Sequence, residues 1–157
     1  MIAICLRNII LAIILAWVSY TDIKRKEIDY SPIIIGLVFA LIYTLCGFNN
    51  IGIIDSLIGG TISFAIFYVL CYLGMGGGDL KLMTMVGLFL GWKMAIIVML
   101  LAFMIGGIYG ILKILFTKTG LHSTIAFGPS IAIASSLVIL FGNYLMNTSA
   151  FYLLAII

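Results

Sequence analysis

Two aspartates stand out in a chain that is otherwise poor in acidic side chains. Only five of the 157 residues are Asp or Glu. Asp22 follows a long apolar stretch, and Asp79 ends the glycine-rich segment GMGGGD that begins at Gly74. When two carboxyl groups share a water molecule, one is held protonated while the other stays charged and acts as a base. The charged group takes a proton from the attacking water, and the protonated group donates to the carbonyl oxygen. The pair therefore predicts peptide-bond hydrolysis.

The glycines before Asp79 suit the close approach of a second peptide chain. Gly76, Gly77 and Gly78 have no Cβ, so the backbone there can be extended or adopt positive φ, and another backbone can come near. A peptide that is cut has to be unwound locally, and a glycine strand would offer it backbone partners. We therefore expect these glycines to bind substrate.

The two aspartates also have non-catalytic interpretations. The alternatives are that Asp79 only caps a helix and that Asp22 is an interfacial charge paired with nearby lysines.

The elements that carry these residues are predicted to be membrane helices. The chain is 65% hydrophobic and 8% charged, whereas a soluble domain is roughly 25% charged. A helix satisfies its own backbone hydrogen bonds in lipid, and only two prolines interrupt the chain. We expect an all-α, polytopic membrane helix bundle that forms a single domain over residues 1–157. The first apolar stretch lacks a charged leader and a small-residue cleavage site, so we expect it to be retained as a helix.

Six apolar segments predict about six transmembrane helices. The predicted segments are Ile2 to Tyr20, Ile33 to Leu45, Ile51 to Leu73, Leu80 to Leu90, Met94 to Phe116 and Ile125 to Met146. The fourth would be only roughly 16 Å long, and fusing it with the fifth would give roughly 55 Å, too long for one crossing of a core about 30 Å thick. We therefore predict a hairpin near Gly91, with Trp92 and Lys93 at the membrane interface.

The basic residues predict the orientation of the bundle. One side holds only Arg7 and Lys93, and the other holds Lys24, Arg25, Lys26, Lys81, Lys113 and Lys118. The positive-inside rule puts the richer side in the cytoplasm and both termini outside the cytoplasm. Asp22 and Asp79 then lie at cytoplasmic helix ends at similar depth, where they can meet. Because the basic residues are dispersed, they form no extended nucleic-acid-binding face.

The remaining polar and sulfur-containing residues predict no further chemistry. The three cysteines form no CxxC pair, so neither a metal site nor a cofactor is expected. We expect Cys5, Cys46 and Cys71 to be small buried apolar residues. The other acidic residues and the single histidine are expected to be solvated, with Asp55 at the external end of the third helix; they are Glu27, Asp29, Asp55 and His122.

The segment GGGDLKLM, from Gly76 to Met83, resembles the G-x-G-D-x-K-L motif of the type IV prepilin peptidases, a family of GxGD-type membrane aspartyl proteases. The resemblance extends to the aspartate and basic stretch after the first helix, to GLFLGW after the motif, and to IAFGPSIAIAS, which is similar to the family's F-G-P segment. It implies that Asp22 and Asp79 are the catalytic pair and that Gly76 and Gly78 belong to the motif loop. It also implies that Lys81 is the motif lysine, which we assign to substrate binding, with lipid binding or topology as alternatives.

The resemblance further implies a peptidase of the prokaryotic inner or plasma membrane whose active site faces the cytoplasm. Its substrates would be prepilin or pseudopilin precursors, from which it would remove a short basic leader after a glycine. The chain has no CxxC-containing cytoplasmic methyltransferase insertion, so it is similar to a short, peptidase-only form. The alternative is a small transporter or lipid-binding module whose acids bind cations, but acids clustered at one face rather than at the midplane argue against it.

Overall fold

The computed structural model describes residues 2–25, 30–46, 51–117 and 127–147, and within these ranges the chain is helical with no strand. The predicted all-α fold is therefore confirmed. The helices are α1 (Ile2–Arg25), α2 (Tyr30–Leu45), α3 (Ile53–Tyr72), α4 (Gly77–Thr117) and α5 (Gly128–Asn147). The expectations for Glu27, Asp29 and His122 fall outside the described residues.

Three of these helices contain stretches that are long and apolar enough to cross a membrane. They are Leu6–Lys24, Ile53–Tyr72 and Gly77–Lys113. Helices α2 and α5 contribute the shorter apolar stretches Ser31–Leu45 and Gly128–Gly142. The expected membrane protein is thus supported, whereas six crossings and the positions of the termini stay predictions.

Helix α4 is broken at Gly91. The helix contains 41 residues, and Gly91 inside it has φ 77° and ψ 169°, which are not helical angles. This positive φ falls in the left-handed region, which favours glycine because no Cβ meets the neighbouring carbonyl. We call residues 77–90 the first arm of α4 and residues 92–117 its second arm.

Contacts with α3 show that the chain reverses direction at the break. The first arm returns alongside α3, because a Cβ on Gly59 would lie 2.5 Å from the carbonyl oxygen of Gly87. Phe67 lies two helical turns further along α3, and its ring stacks on that of Phe103 with 5.8 Å between centroids. A straight α4 would carry Phe103 away from Phe67, so the second arm runs back beside the first. The break thus lies where the hairpin was predicted.

The first arm of α4 lies at the centre of the bundle. Helix α4 packs against each of the other four helices, and the first arm contributes the fully buried side chains Leu82, Met83, Met85, Val86 and Phe89. The outward faces of α1, α2 and α3 instead carry large exposed apolar residues, as a lipid-facing surface requires. The middle of the first arm is therefore packed on several sides, and Asp79 lies at its N-terminal end.

Candidate active site

Asp22 lies in the last turn of α1, so that helix continues past the aspartate rather than ending before it. The side chain is 5% exposed. Its Oδ2 accepts a hydrogen bond of 2.8 Å from the backbone N–H of Gly128, the first residue of α5. The C-terminal end of α1 carries partial negative charge that disfavours a carboxylate, whereas the N-terminal end of α5 favours one. The contact with α5 thus offsets the unfavourable position of Asp22 on its own helix.

Asp79 lies in the first turn of α4. The helix begins at Gly77, so Asp79 is a first-turn residue rather than the residue that precedes the helix, and its own N–H donates to the carbonyl of Gly76 at 3.1 Å. The side chain is 7% exposed, and its buried Oδ1 has no hydrogen-bond partner. A buried acceptor without a donor is costly unless something else occupies that position. A water or a substrate group beside Oδ1 would remove that cost.

The structure brings the two aspartates to the same end of the bundle. Asp22 and Asp79 come from different helices, and their carboxyl groups are close enough to interact electrostatically. Both are buried, so this interaction is weakly screened by solvent. We name Asp22 and Asp79 together the carboxylate pair. The structure thus brings together the two aspartates selected from the sequence, and their depth in a membrane stays a prediction.

The motif glycines lie beside Asp79 at the surface of the bundle. Gly76 and Gly77 are exposed and Gly78 is half-buried. The expected extended strand is wrong for Gly77 and Gly78, because both belong to the first turn of α4, and the positive φ in this segment, 108°, falls on Gly74. A Cβ on Gly76 would lie 3.2 Å from Oδ2 of Asp79, whereas one on Gly77 would meet nothing within 4 Å.

Lys81 does not share the buried face of Asp79. It is exposed, and residues two apart on a helix do not face each other. The structure thus places the lysine on the outer side of α4, and its predicted role in substrate binding stays untested.

Gly128 is a site residue that the sequence-based assignment missed. It lies in the F-G-P segment, and its N–H is one of the first in α5, which have no carbonyl partner within their own helix. The signal available in the sequence was a glycine next to a proline at the start of a helix, since such N-termini bind anions. Nothing in the sequence, however, indicated that Asp22 would supply the anion.

The other aspartate in the described ranges lies far from the carboxylate pair. Asp55 is exposed in the first turn of α3, and its Oδ1 accepts a hydrogen bond of 3.1 Å from the indole N–H of Trp92 beside the α4 break. Among the described residues, no group of three or more His, Cys, Asp or Glu could hold a metal ion. The chemistry that the site offers is that of paired carboxyl groups.

Comparison with known proteins identifies the family of this chain. The model of the type IV leader peptidase family matches residues 9–111, a range that includes both aspartates. A prepilin leader peptidase/N-methyltransferase of Aeromonas salmonicida (strain A449) is 30% identical over 144 residues, which cover 84% of this chain and 49% of the relative. No solved structure was found to match the chain.

Two further relatives carry the same description. The Aeromonas hydrophila protein is 35% identical over 116 residues, covering 69% of this chain and 38% of the relative. The Bacillus subtilis (strain 168) protein is 31% identical over 88 residues, covering 56% of this chain and 36% of the relative. The chain thus spans about half or less of the length of the relatives it matches. The family match covers most of the chain, which therefore belongs to the type IV leader peptidase family.

Proposed function

We propose that this protein is a membrane-embedded aspartic endopeptidase that removes the leader of prepilin-like precursors. The observation that carries the proposal is the pair of buried carboxyl groups, Asp22 and Asp79, which come from separate helices of a leader peptidase family member and interact at one end of the bundle. The names of the relatives give two activities, leader peptidase and N-methyltransferase. The carboxylate pair supports the first of these activities, and we propose only that one here.

In the proposed reaction, the carboxylate pair activates one water molecule. The charged carboxylate takes a proton from the water, and the oxygen of that water forms a bond to the scissile carbonyl carbon. The other carboxyl group donates its proton to the carbonyl oxygen. Collapse of this tetrahedral species breaks the C–N bond, and the leaving amine takes up a proton from the pair. Oδ1 of Asp79 is buried and has no hydrogen-bond partner, which supports a place beside it for the water or the carbonyl group of the substrate.

The exposed glycines beside Asp79 support the proposed approach of the substrate. The first N–H groups of a helix lack partners within it, so the start of α4 at Gly77 can offer donors to an unwound peptide. The open space around Gly77 leaves room for that peptide. The substrates we propose have a basic leader on the cytoplasmic side, a glycine at the junction and an apolar helix behind it.

The proposed orientation places the carboxylate pair at the cytoplasmic face of the inner or plasma membrane. Lys24 and Lys81 lie at the same end of the bundle as the pair, whereas Arg7 and Lys93 lie towards the opposite end. This distribution supports a cytoplasmic site through the positive-inside rule. With the reversal at Gly91, the chain would cross the membrane six times.

Cleavage of a purified precursor tests the proposed function. The protein is reconstituted in lipid vesicles with a precursor of the stated kind, and the leader is followed by mass spectrometry. Asp22→Asn and Asp79→Asn keep the shape of each side chain but remove its acid–base function, so each is expected to lower the cleavage rate by about a hundredfold to ten-thousandfold. Asp55→Asn is the matched control because Asp55 is exposed at the opposite end of the bundle, and it should cleave at the wild-type rate.

Retained cleavage in either Asp22→Asn or Asp79→Asn would remove the pair from the mechanism. The transporter alternative makes a different prediction, namely cation binding or transport without any peptide product. Both outcomes can be read from the same vesicles, since cation uptake and leader release are measured separately.

A further inference from the structure

The start of α5 is held firmly beside Asp22. Phe127 directly precedes α5, and its ring contacts those of Phe67 and Phe103, with centroids 6.5 and 5.5 Å apart. Its carbonyl oxygen accepts the N–H groups of Ser130 and Ile131 at 3.0 and 3.2 Å. The aromatic contacts fix the residue before the helix, and the backbone bonds fix its first turn. The N–H of Gly128 therefore has a defined direction, towards Asp22.

The contact between Gly128 and Asp22 leaves no room for a side chain. A Cβ on residue 128 would lie 2.6 Å from Oδ2 of Asp22 and 3.2 Å from the carboxyl carbon. Atoms at such a distance overlap, so any other residue would push the carboxyl group away from the N–H that it accepts. The donor at 2.8 Å and the missing Cβ thus both belong to the close approach of Gly128 to one oxygen of Asp22.

We propose that Gly128 is a positioning residue for the carboxylate pair. Its N–H donates to Oδ2 of Asp22 and so holds that oxygen at the start of α5. The other oxygen of the carboxylate then faces the water shared with Asp79. A hydrogen bond from a backbone N–H at a helix N-terminus also stabilises the charged carboxylate. Gly128 acts through Asp22 and does not itself touch the substrate. This proposal rests on the proposed function.

Two substitutions at residue 128 test the proposal. Gly128→Ala adds the Cβ that would displace Asp22. Replacement of Gly128 by glycolic acid in cell-free translation exchanges the N–H for an ester oxygen and removes the donor without adding bulk. Each is expected to lower kcat by about tenfold to a hundredfold, the size expected for one hydrogen bond to a charged group, with KM unchanged.

Gly107→Ala is the matched control for the added methyl group. Gly107 lies in the second arm of α4, and a Cβ there would meet nothing within 4 Å. This variant should keep the wild-type kcat and KM. Rates are normalised to folded protein, measured by thermal unfolding of each variant in the same vesicles, because a merely structural role would reduce the folded fraction and leave kcat per folded enzyme unchanged.

The outcomes separate this proposal from the proposed function. Wild-type kcat in the folded ester variant would overturn the positioning role even if Asp22→Asn is inactive. If Gly128→Ala does not fold, the ester variant alone decides. Retained cleavage by Asp22→Asn would instead overturn the aspartic mechanism of the proposed function, because Asp22 would then not be needed. A lowered kcat with unchanged KM in the ester variant, together with a normal Gly107→Ala enzyme, would support the positioning role.

Discussion

Gly77 offers a test of substrate approach that is separate from the stability of the fold. Nothing lies within 4 Å of the position that its Cβ would take, and the residue has helical rather than left-handed backbone angles. Alanine therefore fits the folded protein without strain, and it favours a helix by up to about 1 kcal/mol over glycine. Any loss of activity in Gly77→Ala would come from the space that the methyl group takes from a bound peptide.

We expect Gly77→Ala to unfold at the wild-type temperature or above it, while kcat/KM for precursor cleavage falls at least about tenfold, equivalent to about 1.4 kcal/mol. The measurements are thermal unfolding and initial cleavage rates on the same preparation. Gly107→Ala again provides the control, because it adds a methyl group in open space elsewhere on α4. Unchanged kcat/KM in Gly77→Ala would show that the substrate backbone does not approach this residue.

At the scale of residues, the sequence reveals the two aspartates but not the backbone N–H of Gly128 that donates a hydrogen bond to Asp22. Asp22 and Asp79 are conspicuous because carboxyl groups are costly in apolar surroundings. Gly128 contributes a backbone N–H, which every residue except proline has, and its importance comes from a contact made across more than a hundred residues of chain. Such a contact exists only once α1 and α5 are packed together. Residue types and spacing therefore cannot predict it.

At the scale of elements, Arg7 stabilises the broken end of the first arm of α4. Gly91 interrupts the helix, so carbonyl groups in the turn before it lose the N–H partners of a continuous helix. Arg7 is 8% exposed, and its guanidinium donates to the carbonyl oxygen of Phe89 at 3.3 Å. A cation beside the C-terminal end of a helix is also favoured by the helix dipole. The arm that begins with Asp79 is thus supported at its far end.

Replacing Arg7 by methionine is expected to destabilise the protein by about 1 to 3 kcal/mol, because the carbonyl of Phe89 would lose a donor in a buried position. The free energy of unfolding is measured by denaturant titration in mixed micelles. Lys93→Met removes a cation from the same end of the bundle, but Lys93 is exposed and lies over the Trp92 ring. That control should change the free energy of unfolding by less than about 1 kcal/mol. Equal effects of the two substitutions would contradict the role of Arg7.

The ends of the helices are harder to predict from the sequence than the reversal of the chain at Gly91. The hairpin near Gly91 follows from length, since the fused apolar run is too long for one crossing. The end of α1 was predicted at Tyr20, whereas the helix runs to Arg25. The reason is that polar residues after an apolar run mark where the membrane ends, and a helix whose backbone is already paired can continue into water. This continuation places Asp22 on α1 itself.

At the scale of the whole molecule, the reversal at Gly91 brings the second arm of α4 back towards the end of the bundle that holds both carboxyl groups. The first arm of α4 runs from Asp79 towards the opposite end, and the second arm returns. Lys81 and Lys113 should therefore face the same side of the membrane, with Lys93 on the other. An unbroken α4 would instead put Lys81 and Lys113 on opposite sides, because the 37 residues of Gly77–Lys113 would extend about 55 Å as one straight helix.

Cysteine labelling in intact cells distinguishes these two arrangements. Single cysteines replace Lys81, Lys93 or Lys113 in a chain whose own three cysteines are changed to serine, and a membrane-impermeant maleimide is added before or after the membrane is opened. We expect Lys93→Cys to react in intact cells, and Lys81→Cys and Lys113→Cys to react only after opening, since the positive-inside rule puts the latter two in the cytoplasm. Labelling of Lys81→Cys and Lys113→Cys from opposite sides would contradict the reversal. Labelling of all three with the opposite sidedness would keep the fold but place the carboxylate pair outside the cytoplasm, where a leader on the cytoplasmic side could not reach it.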